Sequence, residues 1–469
     1  MTRCTVKGTG HRTLAALAIV SCLHCGSEHL NPVPVEPSCP PTAETASWHA
    51  WSRAIGATID GGVQQLVLDE SGQLLISGWF EGALDLGCGQ RFDPGVAFFL
   101  AKLGPDASCK WMLVRRRSGF ESGHTMVPMA GGDTLVAAHS GGTFALGETV
   151  MDAVGSSDIF LVVLDPEGVP RWTKQLGDEG YQNVQDAAVT GDGGVVLAGS
   201  FVGVMDLGGQ TLAADDDGGM DTFLIKLDAT GEHVWSYRYD STHVAWPSIE
   251  VASDGHLMLA LGVRGSIDIG DGPLELSAPE AVLLARLAPD GTVEAFRQLP
   301  ESGNATARVT AVDSQGRPLI VGGVTEAIDL GGGPIPFAGH RDAFVASFDR
   351  ELAYRWSDTV GTTGQQSAVA FARFGPDDRA TVAGFVHDLP HADEPKPSYS
   401  FLRGYDDMGE QLFEHRFGCS QHSALVQAAA DAQGDIYLAG YFQGSFDLGG
   451  GPLPSNGGTD GFFAKLSPP

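Results

Sequence analysis

Basic residues are scarce in this chain: 28 Lys and Arg stand against 58 Asp and Glu in 469 residues, a formal charge of −30. A chain this acidic repels polyanions, and no basic stripe interrupts the pattern, so nucleic acid is excluded as a partner. Long apolar runs are missing as well. The apolar stretch at residues 14–20 is too short to cross about 30 Å of hydrocarbon as a helix. Catalytic signatures are equally absent. There is no G-x-S-x-G, H-E-x-x-H, P-loop or S-x-D-x-G-x-T-W box, and C-x-x-C occurs only between Cys22 and Cys25. No reaction can be named from these motifs.

What the chain has in quantity is glycine, 64 residues, about twice the usual share. Much of it falls into a repeat. A hairpin residue opens each copy, at Gly72, Gly132, Gly193, Gly255, Gly316, Asp378 and Gly434. Six positions later stand Gly78, Ala138, Gly199, Leu261, Gly322, Gly384 and Gly440. Asp-Leu-Gly follows at Asp85, Asp206, Asp329 and Asp447, with Asp268-Ile269-Gly270 in the fourth copy. Short alternating apolar runs between Gly and Asp turns predict four strands per copy, as in VQDAAVT, GVVLAGSF, TFLIKLD and HVWSYRY of unit three. We label these strands A to D. Repeats of this length with four strands each predict an all-β fold, a seven-bladed β-propeller spanning residues 47–469. The last copy stops at the end of strand C. Trp51 lies as far before the first anchor as Trp111 and Trp172 lie before theirs, so residues 47–56 are expected to supply strand D of blade seven and close the ring.

Ahead of the ring, Arg3, Lys7 and Arg12 precede a short apolar core that ends at Ser21-Cys22. This resembles a bacterial lipoprotein signal, in which a small residue precedes an acylated cysteine. The resemblance implies a signal peptide at 1–21, lipidation at Cys22, and membrane attachment through the lipid anchor only. Residues 22–46 are polar and Pro-rich, a composition that cannot bury a core and reads as a disordered tether.

The loops can be assigned to two faces of the ring. A-to-B and C-to-D turns share one face, and B-to-C and D-to-A loops the other. Cys88 and Cys109 then fall at opposite ends of a roughly 20 Å strand and are not expected to pair; Cys88 with Cys419 and Cys39 with Cys109 are the same-face alternatives. The variable B-to-C insertions, such as QRFDPGV and GPIPFAGHRD, mark the expected binding face. Near the axis on that face stand Gln64, Gln65, His124, Gln185, Asp186, Arg308 and Gln427, which could hold a ligand at the channel mouth or simply hydrogen-bond neighbouring blades. His387 and His391 cluster with Asp393 as weak candidates for a metal site, although Pro390 separates the two histidines. Asp215, Asp216 and Asp217 could hold calcium, and solvated turn acids are the plainer account. No other cofactor is expected.

The units resemble the bacterial β-propeller repeats of the SBBP and related types, in the hairpins ESGQLLISG, GDGGVVLAG and AQGDIYLAG, the turns FDLGGGPL and IDLGGGPI, and the strands DAFVASFD and DGFFAKL. The resemblance covers the whole ring and implies an extracytoplasmic protein or lipoprotein without shared catalytic residues. The expected function is a non-enzymatic cell-envelope lipoprotein, at the outer membrane or cell surface or else periplasmic or secreted. It would use a monomeric ring as a rigid binding or scaffolding platform for protein or glycan. The alternative is a polysaccharide hydrolase or lyase working at the channel mouth, with His124, Asp186 and Arg308 as its first candidates. Copy six departs most, with HDLPHADEPKPSYS in place of the glycine turn.

Overall fold

The structure is a computed structural model that describes residues 43–468 apart from 117–123, 209, 215–218, 271, 277–279, 301–304, 339–340, 361–364, 376, 389–397, 419–422 and 456–457. The signal segment, Cys22, Cys39, Cys419, Asp215–Asp217, His391 and Asp393 lie outside the described residues. No helix among those described is long and apolar enough to cross a membrane.

The fold is all-β, an arrangement of small antiparallel sheets placed as in a propeller. Unit one is representative, with strands Asp60–Leu68, Leu74–Leu84, Arg91–Leu103 and Cys109–Arg116 paired in that order. Five four-stranded sheets of this kind are separate, from units one, two, five, six and seven. Seven separate blades were expected, so the count is corrected here. Units three and four share one eight-stranded sheet, because strand D of unit three runs on into strand A of unit four as a single strand, His233–Val251. The cause is local. No glycine interrupts the crossing, and it pairs with an elongated strand B, Leu257–Asp268, through Asp240 with Asp268 and His243 with Arg264. The innermost strands touch in succession from unit one through unit seven and back to unit one.

The closing strand lies where Trp51 placed it. His49–Ala54 pairs antiparallel with Thr459–Leu466, Trp51 opposite Lys465 and Ala54 opposite Phe462. A short helix, Ala43–Trp48, precedes it and takes up the last residues of the segment read as tether.

Each element of the repeat has a physical job. In the turns an aspartate accepts two backbone N–H groups: Asp69 Oδ1 takes those of Ser71 (2.9 Å) and Gln73 (3.0 Å). Asp447 does the same for Gly449 (2.8 Å) and Gly451 (3.0 Å). The glycine six past the anchor lies opposite a phenylalanine of strand C, as in the pairs Gly78 with Phe99 and Gly440 with Phe462. A Cβ there would collide with that ring and with a strand A carbonyl. The recurring strand D aromatic caps the C-to-D turn of the next unit. Trp111 Nε1 donates to Pro166 O (2.9 Å), Trp172 Nε1 to Ala229 O (3.1 Å) and Trp235 Nε1 to Pro289 O (3.3 Å). Where the aromatic is absent or turned away, arginine replaces it: Arg297 donates to Leu352 O (3.0 Å), and Arg53 to Ala107 O (2.9 Å).

Among the described residues the B-to-C insertions are not free loops. They fold into two-stranded hairpins, such as Val204–Asp206 with Thr211–Ala213 and Phe446–Asp447 with Pro452–Leu453. Their apolar residues are buried against the preceding unit. Met205 and Leu207 pack with Leu161 and Leu176, and Leu330 packs with Leu284 and Leu299. This folding overturns the cysteine expectation. The hairpin of unit one turns back along its own blade, so the Gly87-Cys88 turn meets the start of strand D. Cys88 and Cys109 form a disulfide with Cα atoms 5.5 Å apart. Non-reducing peptide mapping should recover that pair. Cys88→Ser should lower unfolding stability by about 3 kcal/mol, the loop-closure value for a loop of about 20 residues.

Candidate functional site

The innermost strands carry the candidate ring, and a repeated irregularity shapes it. Registers slip at Gln64 in unit one and Gln185 in unit three, and comparable slips occur in units four to seven. A bulge inserts one extra residue, bends the strand and re-aims the side chains that follow.

The residue after the bulge reaches across to the next unit. Gln65 Oε1 accepts the N–H of Met126 at 3.0 Å. At the same repeat position Asp186 Oδ2 accepts the N–H of Ile249 at 2.9 Å, while its Oδ1 accepts the N–H of Ala187 at 2.9 Å. Gln185 Oε1 accepts from Ser200 Oγ at 3.2 Å. Gln64 and Arg308 are exposed and Gln427 is half-buried. His124 opens strand A of unit two, opposite Ala138, and its side chain is outside the description. The inter-unit bonding weighed for these positions is therefore present at Gln65 and Asp186.

Two charged residues missed from sequence complete the group. Glu250 and Arg373 each stand five residues before their anchors, where other units carry Val or Ala, and their side chains form an ion pair at 3.0 Å. The pair spans from unit four to unit six. Tabulating that register position would have exposed it. The Arg373 guanidinium also lies 5.2 Å over the Phe371 ring.

Electrostatics here are perturbed by burial. Loss of solvation, then the Glu250 charge, pushes the Asp186 carboxyl up to about 7, against the two N–H donors and Arg308 that favour its ionised form. Burial also raises Glu250, with Arg373 opposing. Burial lowers Arg308, with Asp186 opposing. Arg308 is nevertheless open to water. The two facts are compatible at a ring centre that admits some water but deprives each group of bulk solvent. Asp186 and Arg308 thus sense one another.

His387 Nε2 lies 3.3 Å from Ser423 O, and its ring packs 4.5 Å from Phe385. Among the described residues no cluster of three or more His, Cys, Asp or Glu could hold a metal.

No protein-family model matches the chain, and no curated protein matches it. Solved structures do. A Dyadobacter fermentans protein of unknown function shares 10% identity with a TM-score of 0.41, covering 78% of this chain and 97% of its own. An apocarotenoid oxygenase of Synechocystis shares 13% at 0.41, over 81% and 91%. A polysaccharide lyase shares 8% at 0.42, over 90% and 92%. Identities and scores this low carry no chemistry over to this chain.

Asp186 supplies a test. Its folded-state pKa is raised, so its contribution to stability is full below about pH 4 and is lost as pH rises through about 7. Asp186→Asn keeps an acceptor for Ile249 and removes the titration. In urea unfolding, the variant should gain on the native chain by on the order of 1 kcal/mol between pH 5 and pH 8, after allowing for water at the site. A constant difference across that window would show that Asp186 does not titrate there.

Proposed function

We propose that the protein is a cell-envelope lipoprotein, acylated at Cys22 and tethered by residues 22–46. Its ring is a rigid, non-enzymatic binding or scaffolding platform for glycan or protein, at the outer membrane or cell surface. In this reading the ring has seven blades of the SBBP-like type, the two halves of the eight-stranded sheet serving as one blade each. The seven registered anchors and the closed succession of inner strands support that count. The observation that carries the functional reading is how the axial polar groups are used. Gln65 and Asp186 bind the backbone of the neighbouring unit, and Glu250 is paired with Arg373. Side chains committed this way rigidify a ring and leave no positioned acid and base for a reaction.

A hydrolase or lyase acting on polysaccharide is the second reading. It is favoured by one observation, the Asp186 carboxyl held near neutrality with Arg308 in electrostatic range. One assay separates the two. Incubation with neutral and uronic polysaccharides, followed by reducing-end release and by the ultraviolet absorbance of unsaturated ends, should give no product above the blank. Affinity electrophoresis in the neutral polysaccharides should show retardation. Product that disappears in Asp186→Asn would establish the enzyme instead. Cys22→Ala should move the protein from the membrane to the soluble fraction; an unchanged membrane fraction would remove the lipid anchor from this reading.

A further inference from the structure

Unit four breaks the rule that governs its neighbours. In units one, three, five, six and seven, a glycine six past the anchor faces a strand C phenylalanine, and a strand A carbonyl presses where a Cβ would stand. In unit four that place is taken by Leu261, opposite Leu283. A leucine cannot share the space with a carbonyl on the usual course, so strand A has to give way. The register slips there by one residue, between Ala245 and Ser248, as it does in the glycine-bearing units, but only here among the described residues does a residue at the bulge, Trp246, adopt a left-handed backbone, with φ of 59°. For a bulky residue that conformation is an outlier, and such strain persists only where surrounding structure enforces it.

The detour changes what the position presents. At the same place in the repeat Val63, Val184, Val369 and Leu425 are 1%, 3%, 8% and 0% exposed, whereas Trp246 is 63% exposed. The indole is delivered to solvent by the backbone of an innermost strand. Three residues further on, the N–H of Ile249 is held by Asp186, and the next residue is Glu250 with its Arg373 partner.

We infer that Trp246 is a stacking platform for a pyranose ring, and that the inner ring around it binds a neutral glycan. This rests on the binding-platform reading and names its ligand class. A flat indole matches the C–H face of a sugar, and the exposed Gln64 and Arg308 of other innermost strands offer partners for hydroxyl groups, the mixture of one apolar surface and a few polar groups that fixes a small ligand. Protein partners usually need a contiguous apolar patch, and among the described residues Trp246 is the one exposed large apolar side chain on a strand A. Polyanionic glycans are opposed by the −30 charge of the chain.

The test is calorimetric titration of the full chain with hexasaccharides of cellulose, laminarin and mannan, and with polygalacturonate and heparin. Saturable binding of at least one neutral hexasaccharide is expected, with neither polyanion bound more tightly. Trp246→Ala should weaken that binding by about tenfold or more, as at an aromatic hot spot, while Trp246→Phe retains most of it. Trp246→Gly should abolish binding yet raise the thermal midpoint, because glycine accepts positive φ without strain. That rise separates lost contact from lost fold. Neutral sugars that bind Trp246→Ala as tightly as the native chain would overturn the Trp246 assignment and leave the platform standing. Binding of no neutral sugar, or preference for a polyanion, would overturn the ligand class. Release of shorter sugars during titration would overturn the non-enzymatic reading alone, leaving Trp246 as a substrate contact.

Discussion

A ring of sheets exists only if its two chain ends are held together, and here one six-residue strand does that. His49–Ala54 completes the sheet of unit seven from the opposite end of the chain. Its flanks are locked on both sides: Ser467 N donates to Trp48 O at 2.7 Å and Ile55 N to Gly461 O at 2.9 Å. The clamp reaches both neighbours. Arg53 holds the C-to-D turn of unit one, and Thr45 Oγ1 meets the buried His415 Nδ1 of unit six at 2.7 Å. Trp48 packs edge-on against His415 and Phe413, and Trp51 against Tyr437 and Phe463. The axial bonds from Gln65 and Asp186 join successive units around the same closed succession of inner strands. Without it the strand C edge of unit seven would be open to pairing with other chains.

The parts of this architecture that were legible in sequence are those repeated by local necessity. A turn that requires positive φ needs glycine, as at Gly72 and Gly434, and its neighbouring N–H groups need an acceptor, as from Asp69. These demands recur in each unit, so the register, the strand order and the closing strand at Trp51 could be read directly. What was not legible depends on how a segment folds back in three dimensions. The insertions looked like variable loops because their glycines and prolines are loop chemistry, yet Leu207, Leu330 and Leu448 make them inter-unit wedges. Cys88 was assigned to the wrong end of its blade for the same reason. The candidate site was half legible. Asp186 and Arg308 were identified, whereas Glu250, Arg373 and Trp246 were missed because they depart from the repeat instead of conforming to it.

The acidic composition also has a structural origin. Carboxylates at Asp69, Asp165, Asp228, Asp313, Asp349, Asp406 and Asp431 each accept the N–H groups two and four residues ahead. Asp228 is held below the usual carboxylate range by its bonds to the Thr230 hydroxyl and to the Glu232 and Thr230 amides. A fold built on many tight turns therefore accumulates negative charge as a by-product of satisfying its own backbone. That field acts on every charged ligand, and it disfavours anionic ones.

Function is most informative where an internally repetitive fold stops repeating. The sixth unit differs most in letters, but its difference lies in an insertion, the part of each unit most free to vary. The fourth unit differs at Leu261, a position whose occupant is dictated in units one, three, five, six and seven by a carbonyl and an aromatic ring. A substitution there cannot be absorbed by a loop; it has to be absorbed by the adjacent strand, which is an axial one. One methyl-branched side chain in the core of a blade thereby sets the backbone of residue 246 and the exposure of its indole. The other units show that the scaffold does not need this arrangement, since Val63, Val184, Val369 and Leu425 serve it buried. A local cost that the fold does not require, in the same strand as Glu250 with its Arg373 partner, is the kind of departure that a binding site would explain and a scaffold alone would not.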